Sequence, residues 1–281
     1  MSTVEIPAEM RIVQGPSALG DDPRRFAALT RTLTLTDFKL KFYGSALGYL
    51  WQLVRPLLLF GILLFVFTNF IKFGKVPHYE VLLLLAIVLY SFVAEGVSNA
   101  VDSVVAREPL VRKVQFPRLV IPATVVATAF LNLLLNLVAV FVFAAIRDVK
   151  PQWQWFELPL ILLLMVMLAS GAAMLVSCLF VRYRDVKPIT DVLLQALFYG
   201  TPIFYPVERI EPTLRHLLVM LNPFAAIIQA AKHAFVPSAM TAAEAAGGTV
   251  NLLVPLAIIL GLFGLGFYVF NKEAPRIAEE L

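Results

Sequence analysis

The chain has 281 residues, of which 60% are hydrophobic and only 15% are charged, and its mean hydropathy is +0.83. Soluble domains average about 45–50% apolar and about 25% charged residues, so a soluble enzyme, a nucleic-acid module and a disordered protein all fit poorly. The net charge of +4 is small, and a single cysteine, Cys178, rules out an intrachain disulfide. This composition is typical of an integral membrane protein.

The N-terminal segment, residues 1–55, is predicted to be cytoplasmic and to contain an amphipathic helix. Residues 22–43 mix apolar side chains such as Phe26 and Leu29 with basic ones such as Arg31. This mixture is typical of a helix that lies at the membrane surface before the first span. Because no apolar stretch precedes residue 42, we do not expect a signal peptide.

Six membrane-spanning helices are predicted from the distribution of apolar residues. A hydrocarbon core about 30 Å thick requires about 20 apolar residues in a helix. Uninterrupted stretches of this kind are residues 119–146, 158–181 and 251–270. Interrupted stretches that we also assign as spans are 56–73, 79–101 and 189–207. The predicted fold is an all-α integral membrane protein, with a transmembrane domain at 56–271 and a cytoplasmic tail at 272–281.

The orientation follows from the basic residues near the span ends. Lysine and arginine are more frequent at the span ends that share a side with both termini than at the opposite ends. Because these residues accumulate in cytoplasmic loops, both termini are predicted to be cytoplasmic. Trp153 and Trp155 then lie at the outer interface, where amphipathic aromatic rings are enriched.

The inner loop between the second and third spans combines basic and apolar side chains between Pro109 and Pro117. The segment between these prolines is long enough for about two helical turns. It can be a helix that docks into a groove on a cytoplasmic partner, or a basic loop that rests on lipid headgroups, and the pattern leaves both open. The residues of the candidate docking helix are Leu110, Val111, Arg112, Lys113, Val114 and Phe116.

The chain after the fifth span is too apolar for a solvated loop. Residues 208–250 include a hydrophobic stretch that Asn222-Pro223 interrupts, which favours two short helices that re-enter the outer leaflet. Two prolines favour a helix break just before this segment, and non-helical backbone at membrane depth indicates a nearby pathway. The residues assigned to an outer gate are Pro202, Tyr205, Pro206, Asn222 and Pro223.

Aromatic residues are concentrated in the first, second and fifth spans. Their faces can stack on sugar rings, whereas the alternative for each of them is lipid contact or helix packing. Glu95, within the second span, is a functional candidate, with structural pairing to a basic group as the alternative. The aromatic residues assigned to a channel lining are Tyr43, Tyr49, Trp51, Phe60, Phe67, Phe198 and Tyr199.

The sequence lacks motifs for catalysis, metal binding or ATP binding. The only Gly-Lys pair, Gly74-Lys75, is followed by Val76 and does not have the Walker A spacing. The histidines are too far apart along the chain for a helical metal pair. We therefore expect no catalytic residue, metal site or cofactor on this chain.

The segment 34–51, TLTDFKLKFYGSALGYLW, resembles the approach to the first span in ABC-2 type polysaccharide exporter permeases. These are the transmembrane subunits that export O-antigen and teichoic acid. Four later landmarks are similar to that family's and occur in the same order: Phe-Pro-Arg at 116–118, residues 182–185, Thr-Pro-x-x-Tyr-Pro at 201–206, and Leu-Asn-Pro-Phe at 221–224. Each motif is weak alone, but together they cover roughly residues 25–270 in a specific order.

The resemblance implies a bacterial inner-membrane protein that works as a homodimer with two copies of a separate ATP-binding subunit. ATP and Mg would then be bound by that partner, and no nucleic acid is expected. The implied substrate is a glycan on an undecaprenyl diphosphate carrier, among membrane lipids. Lys39, Lys41 and Arg55 would attract the diphosphate at the inner interface. The resemblance does not specify the glycan.

Two other functions remain possible on the sequence alone. An ion-coupled secondary transporter of a lipid-linked or small substrate would need an ionisable group near the membrane midplane and an internal repeat. Glu95 is the one candidate for such a group, and we find no repeat. A lipid-processing membrane enzyme would need a paired-acid motif, which the sequence lacks.

Overall fold

A computed structural model describes residues 19–20, 22–42, 48–71, 77–109 and 116–275. Within these ranges the chain is helical and contains no strand. The prediction of an all-α membrane protein is confirmed. We number the longer helices α1 Pro23–Phe42, α2 Gly48–Val66, α3 Tyr79–Val101, α4 Val120–Ile146, α5 Leu158–Arg182, α6 Val186–Gly200, α7 Pro212–Leu221, α8 Pro223–Phe235 and α9 Leu253–Glu273.

Five helices in the described ranges are long and apolar enough to cross a membrane. They are α2 with its π-helical extension Phe67–Ile71, α3, α4, α5 and α9. The pair α7 and α8, bent by 106° at Asn222, passes the same test only as a unit. The two short helices predicted after the fifth span are therefore present, and their bend suits re-entry better than a straight crossing.

The fifth predicted span, 189–207, differs from the structure. Helix α6 has 15 residues, which corresponds to roughly 22 Å, whereas the hydrocarbon core is about 30 Å thick. It ends at Gly200, because Pro202 disfavours helical backbone at Thr201 and has no N–H of its own. The irregular residues 201–203 that follow are buried, so protein packing covers their backbone.

The helix that contains the first predicted span begins before Pro56. The chain is helical from Gly48 and not from Pro56, which lies inside α2. Arg55 is therefore part of the helix, and its side chain is exposed. A long basic side chain near a helix end can extend toward the interface while its stem remains among lipid.

Helix α3 is the centre of the bundle. In its apolar window 72% of the residues are buried, compared with 11% for α2 and 17% for α9. It contacts α2, α4, α5, α6 and α8. A helix that is surrounded by protein in this way positions its neighbours, so we expect the functional surface to lie on the helices that flank it.

Helices α5 and α9 cross at two glycines. A Cβ atom added at Gly171 would lie 2.8 Å from the backbone of both Leu262 and Phe263, and one added at Gly266 would meet the Gly171 carbonyl. Only glycine permits this approach. Small residues at membrane helix contacts allow the close packing that replaces the hydrophobic effect within lipid.

Helix α1 packs across one end of the bundle, which we call the α1 end. Phe26, Leu29 and Leu33 contact a buried cluster that includes Ile121 and Phe270. The opposite face of α1 exposes Arg31 and Lys39 together with Leu35. This two-sided character agrees with an amphipathic helix at a membrane surface.

The opposite end of the bundle, which we call the α8 end, is formed by α7, α8 and the turns between α8 and α9. Glu211 caps α7 by accepting the Leu214 N–H at 3.0 Å. This backbone hydrogen bond lowers the pKa of Glu211 below its ordinary value. Thr241 and Glu244 form a capping box on the single helical turn Ala242–Ala245. These caps satisfy backbone N–H groups at the starts of two helices and so stabilise the backbone of the α8 end.

Candidate functional site

The predicted docking helix lies mostly outside the described residues, because 110–115 are among those not described. Phe116, its last member, is buried in a cluster with Val104, Leu119 and Phe270. Its ring therefore attaches the end of the loop to the bundle and does not face a partner. The docking role of residues 110–114 stays a prediction.

Ion pairs connect the elements around this loop at the α1 end. Arg107, just before the loop, pairs with Asp37 of α1. Lys187, in the first turn of α6, donates to Asp102 at the end of α3 at 2.6 Å. Displacing the loop would therefore strain its link to α1, while α3 and α6 are held together beside it.

Glu95 is held by three helices other than its own. Its carboxylate accepts hydrogen bonds from Lys41 of α1, from Asn132 of α4 at 2.6 Å and from Gln52 of α2 at 3.1 Å. The side chain is 18% exposed. Asn136, one helical turn beyond Asn132, donates to the Asn132 carbonyl at 2.9 Å. The structure thus supports the structural alternative for Glu95, in which it pairs with a basic group. We call Lys41, Gln52, Glu95 and Asn132 the Glu95 network.

The basic residues assigned to diphosphate attraction differ in their environments. Lys41 is paired with Glu95, and its side chain is 37% exposed. Lys39 and Arg55 are both exposed, and neither is in a salt bridge within the described part of the chain. Lys39 and Arg55 are therefore better placed than Lys41 to meet an anionic lipid.

An aromatic cluster joins α2, α3 and α6. The Phe198 ring centroid lies 4.8 Å from that of Tyr90 and 5.7 Å from that of Phe204, and Phe204 lies 5.1 Å from Phe67. These separations are in the range of favourable aromatic pairs. The members of the aromatic cluster are Phe67, Tyr90, Phe198, Tyr199 and Phe204. Tyr199 is 59% exposed, so the cluster has an open edge.

The other aromatic residues assigned to a channel lining lie elsewhere. Phe60 is buried and packs edge to face on Phe143 of α4, with centroids 5.4 Å apart. Trp51 is exposed near the start of α2. Tyr43 and the Tyr49 side chain lie outside the described residues. The predicted channel-lining residues did not include Tyr90 and Phe204. The concentration of aromatic residues in the second and fifth predicted spans was the signal that could have identified them.

Helices α2 and α6 present an open flank, defined here as their exposed side chains. In α6 the only buried side chain in the described structure is Thr190, and in the window of α2 only 11% of residues are buried. The flank is mainly apolar, but Gln195 and Tyr199 of α6 add polar groups to it, as do Thr68 and Asn69 in the adjoining π-helical extension of α2. Polar side chains at membrane depth disfavour direct lipid contact. This flank is therefore suited to another protein chain or a polar path.

The outer-gate residues are brought together at the α8 end. Asn222 accepts the N–H groups of Phe224 and Ala225 at 3.1 and 3.2 Å, and so caps α8. Its amide donates to the Thr201 hydroxyl at 2.9 Å. The Tyr205 hydroxyl contacts the Tyr199 carbonyl at 3.4 Å. The Asn222 side chain therefore caps the start of α8 and also hydrogen-bonds to the irregular segment that follows α6.

Lys232 of α8 is a second connection to this break, and it was not among the predicted gate residues. Its ammonium donates to the carbonyl of Pro202, with the Ile203 carbonyl at 3.5 Å. Only 7% of its surface is exposed. A lysine within a mainly apolar helix was the available signal. Pro202 is thus fixed by α8, and the backbone oxygen freed by the break has a partner.

Comparison with known proteins gives the family. Residues 28–236 match the ABC-2 type transporter family. The O-antigen export system permease protein RfbA of Klebsiella pneumoniae is 29% identical over 255 residues, which cover 89% of this chain and 93% of that protein. RfbA of Myxococcus xanthus is 23% identical, with coverage of 92% and 96%. The polysialic acid transport protein KpsM of Escherichia coli is 25% identical, with coverage of 86% and 93%.

The family match extends from within α1 to just beyond the end of α8. It therefore includes the Glu95 network, the aromatic cluster and the outer gate. The similar proteins are permeases, which are transport components and not enzymes. This chain is a multi-pass membrane transport subunit, and it belongs to the ABC-2 type transporter family.

Proposed function

We propose that the chain is the permease half of an ATP-driven exporter that moves a lipid-linked polysaccharide from the cytoplasm across the bacterial inner membrane. The similarity to O-antigen and polysialic acid permeases over most of the chain supports this substrate class. The observation that carries the proposal is the open flank of α2 and α6 with the aromatic cluster at its edge. Aromatic faces and a tyrosine hydroxyl suit sugar rings.

Two copies of the chain would face each other across their open flanks and enclose the path. The diphosphate of the carrier would approach the α1 end, where Lys39 and Arg55 are exposed. Two ATP-binding subunits would supply ATP and Mg and would bind at the same end, through residues 110–114. Their closure would shift the permease between a closed and an open channel.

The alternative of an ion-coupled transporter has less support. Such a carrier needs an ionisable group that is free to exchange protons or ions. Glu95 instead accepts hydrogen bonds from Lys41, Gln52 and Asn132. Transport that persists without ATP but stops when the proton gradient is dissipated would favour this alternative.

The direct test is reconstitution with a candidate ATP-binding subunit encoded beside the chain. We expect the two to copurify in equal numbers and to translocate a polyprenyl-diphosphate glycan into proteoliposomes only with ATP and Mg. A partner variant that binds but does not hydrolyse ATP is the control. Translocation that is independent of the partner would contradict the proposal.

The docking surface needs a separate test. We expect Leu110→Asp to reduce copurification of the ATP-binding subunit, because a charge replaces an apolar contact in a groove. Leu110→Met is the matched control and should retain binding. Phe116 is unsuitable for this purpose, because its burial means that a charge there would damage the bundle itself. Equal copurification of both Leu110 variants would contradict the docking assignment.

A further inference from the structure

An apolar groove with a volume of about 510 Å³ lies between α4 and α5 and is open at the surface of the bundle. Along α5 its lining extends from Pro159 to Ser170, which corresponds to about 16 Å at 1.5 Å per residue. The side chains that form its walls include Ala123, Ala127 and Phe130 of α4 and Leu162, Leu163 and Val166 of α5. We call this feature the α4–α5 groove.

The groove exists because α4 and α5 do not close on each other along this face. Ala123 and Ala127 lie one helical turn apart on α4, so two very short side chains are on the same side of that helix. Helix α5 packs more extensively on α9 than on α4, through the close approach at Gly171. Ser170, the residue before this glycine, lines the groove. The space is therefore a consequence of how α5 crosses α9.

The lining of the groove excludes a water-filled or polar site. None of the described residues that line it is charged, and only Ser170 among them has a polar side chain. A water molecule in a cavity needs two to four polar partners. Both walls belong to helices that are long and apolar enough to cross a membrane, so the medium outside the groove is hydrocarbon. The open flank differs, because Gln195 and Tyr199 add polar groups there.

The length of the groove suits one hydrocarbon chain. One leaflet provides about half of a core about 30 Å thick, or about 15 Å, which is close to the extent of the lining along α5. A second cavity of about 200 Å³ shares Pro159 and Leu162 with the groove and reaches Leu85 and Leu89 of α3. All of the residues that line this second cavity are apolar. The groove therefore deepens toward α3, and a chain can lie in it instead of sliding over a convex surface.

We propose that the α4–α5 groove binds one acyl chain of a membrane phospholipid. The chain supplies the van der Waals contacts that α4 and α5 do not make with each other, and such contacts drive helix packing within lipid. The polyprenyl tail of the carrier is a poorer occupant, because its proposed path lies along α2 and α6. A second copy of the chain is likewise assigned to the open flank. Binding of the acyl chain does not depend on the proposed function.

The test is photocrosslinking of the lipid-stripped chain in detergent, titrated with a phosphatidylethanolamine that has a diazirine in one acyl chain. Mass spectrometry of peptides locates the label. We expect labelling near Ala127 and Leu163 to saturate at one lipid per chain and to be displaced by unlabelled phosphatidylethanolamine. Labelling at Leu260, an exposed position on α9, should rise in proportion to the lipid added.

Filling the groove should remove the site. We expect Ala127→Phe to weaken lipid binding in the groove by about fivefold, because its ring takes the place of one or two methylene groups of the chain. Ala145→Phe is the matched control, since Ala145 is an exposed alanine of α4 outside the lining. Unchanged labelling at Leu260 checks that Ala127→Phe is folded. If that labelling changes, Ala127→Val, which fills less of the groove, takes its place.

Four results would overturn the acyl-chain site. Groove labelling that does not saturate would mean ordinary contact with the surrounding lipid, and native labelling in the filled variant would place the lipid elsewhere. Displacement by a polyprenyl phosphate but not by phosphatidylethanolamine would assign the groove to the carrier. Disulfides between copies of Ala127→Cys in native membranes would assign it to a second copy. None of these measurements involves transport, so the proposed function is judged separately by ATP-driven translocation.

Discussion

At the scale of single residues, Glu95 shows how a carboxylate is tolerated among apolar helices. Lys41, Gln52 and Asn132 satisfy it from three neighbouring helices. We expect Glu95→Gln to lower stability by about 1–2 kcal/mol, because the charge-assisted hydrogen bonds are lost from a partly buried site. The thermal unfolding midpoint in detergent measures this. An exposed control, Glu157→Gln, should unfold like the native chain, and an equal midpoint for both variants would contradict the prediction.

The exposed basic residues of the α1 end should act on the carrier lipid and not on stability. We expect Lys39→Gln and Arg55→Gln each to weaken binding to vesicles that contain a polyprenyl diphosphate by about fivefold, since each charge contributes about 1 kcal/mol near an anionic surface. Arg31→Gln, another exposed position on α1, is the comparison. If Arg31→Gln weakens vesicle binding and neither Lys39→Gln nor Arg55→Gln does, the diphosphate binds near Arg31 and the prediction is wrong.

At the scale of elements, the crossing of α5 and α9 depends on the absence of a side chain. Gly171→Ala would place its methyl group 2.8 Å from the Leu262 backbone, which we expect to cost about 1–3 kcal/mol of stability. Gly261→Ala on α9 meets nothing within 4 Å and is the matched control. We expect it to be neutral or slightly stabilising, because alanine favours helix. Equal unfolding midpoints would show that the crossing can relax.

The gate element depends on Asn222, whose two functions can be separated. Asn222→Asp keeps an oxygen for the α8 cap but loses the amide donor to Thr201. Asn222→Ala loses both, and the missing cap alone costs about 1 kcal/mol. We expect faster hydrogen exchange at Phe224 and Ala225 in Asn222→Ala only. In both variants, exchange around Ile203 should increase. Unchanged exchange near Ile203 would mean that Lys232 alone holds the break.

At the scale of the whole molecule, the open flank is where we expect a second copy. We expect cysteines at Ile62 of α2 or Val192 of α6, both exposed, to form disulfides between copies in native membranes. The control is Leu265→Cys, at an exposed position on α9. Helix α9 packs mainly on α5, so this cysteine should not form a disulfide between copies. The native Cys178 is buried and can remain. Crosslinks through Leu265 but not through Ile62 or Val192 would move the dimer contact to the α9 side.

The sequence by itself determined the class of this protein. Long apolar stretches can satisfy their backbone within lipid only as helices or closed barrels, so 119–146 and 158–181 had to be spans of some kind. The break at Pro202 and the start of α8 at Asn222-Pro223 were also predictable, because proline and asparagine act on the local backbone. The ordered motifs indicated the ABC-2 family, which the match over residues 28–236 confirms.

Only the tertiary structure decided which side chains meet. Lys41 and Glu95 are 54 positions apart, and no local pattern indicates that one satisfies the other. Phe60 and Phe198 are both aromatic residues in apolar helices, yet one is core and the other belongs to the aromatic cluster beside the open flank. In the sequence, Lys232 is one basic residue among several. Only the packing of α8 against the break after α6 shows that its ammonium donates to the Pro202 carbonyl. Periodicity and propensity act through the nearest turns of backbone, whereas pairing and exposure depend on how distant helices pack.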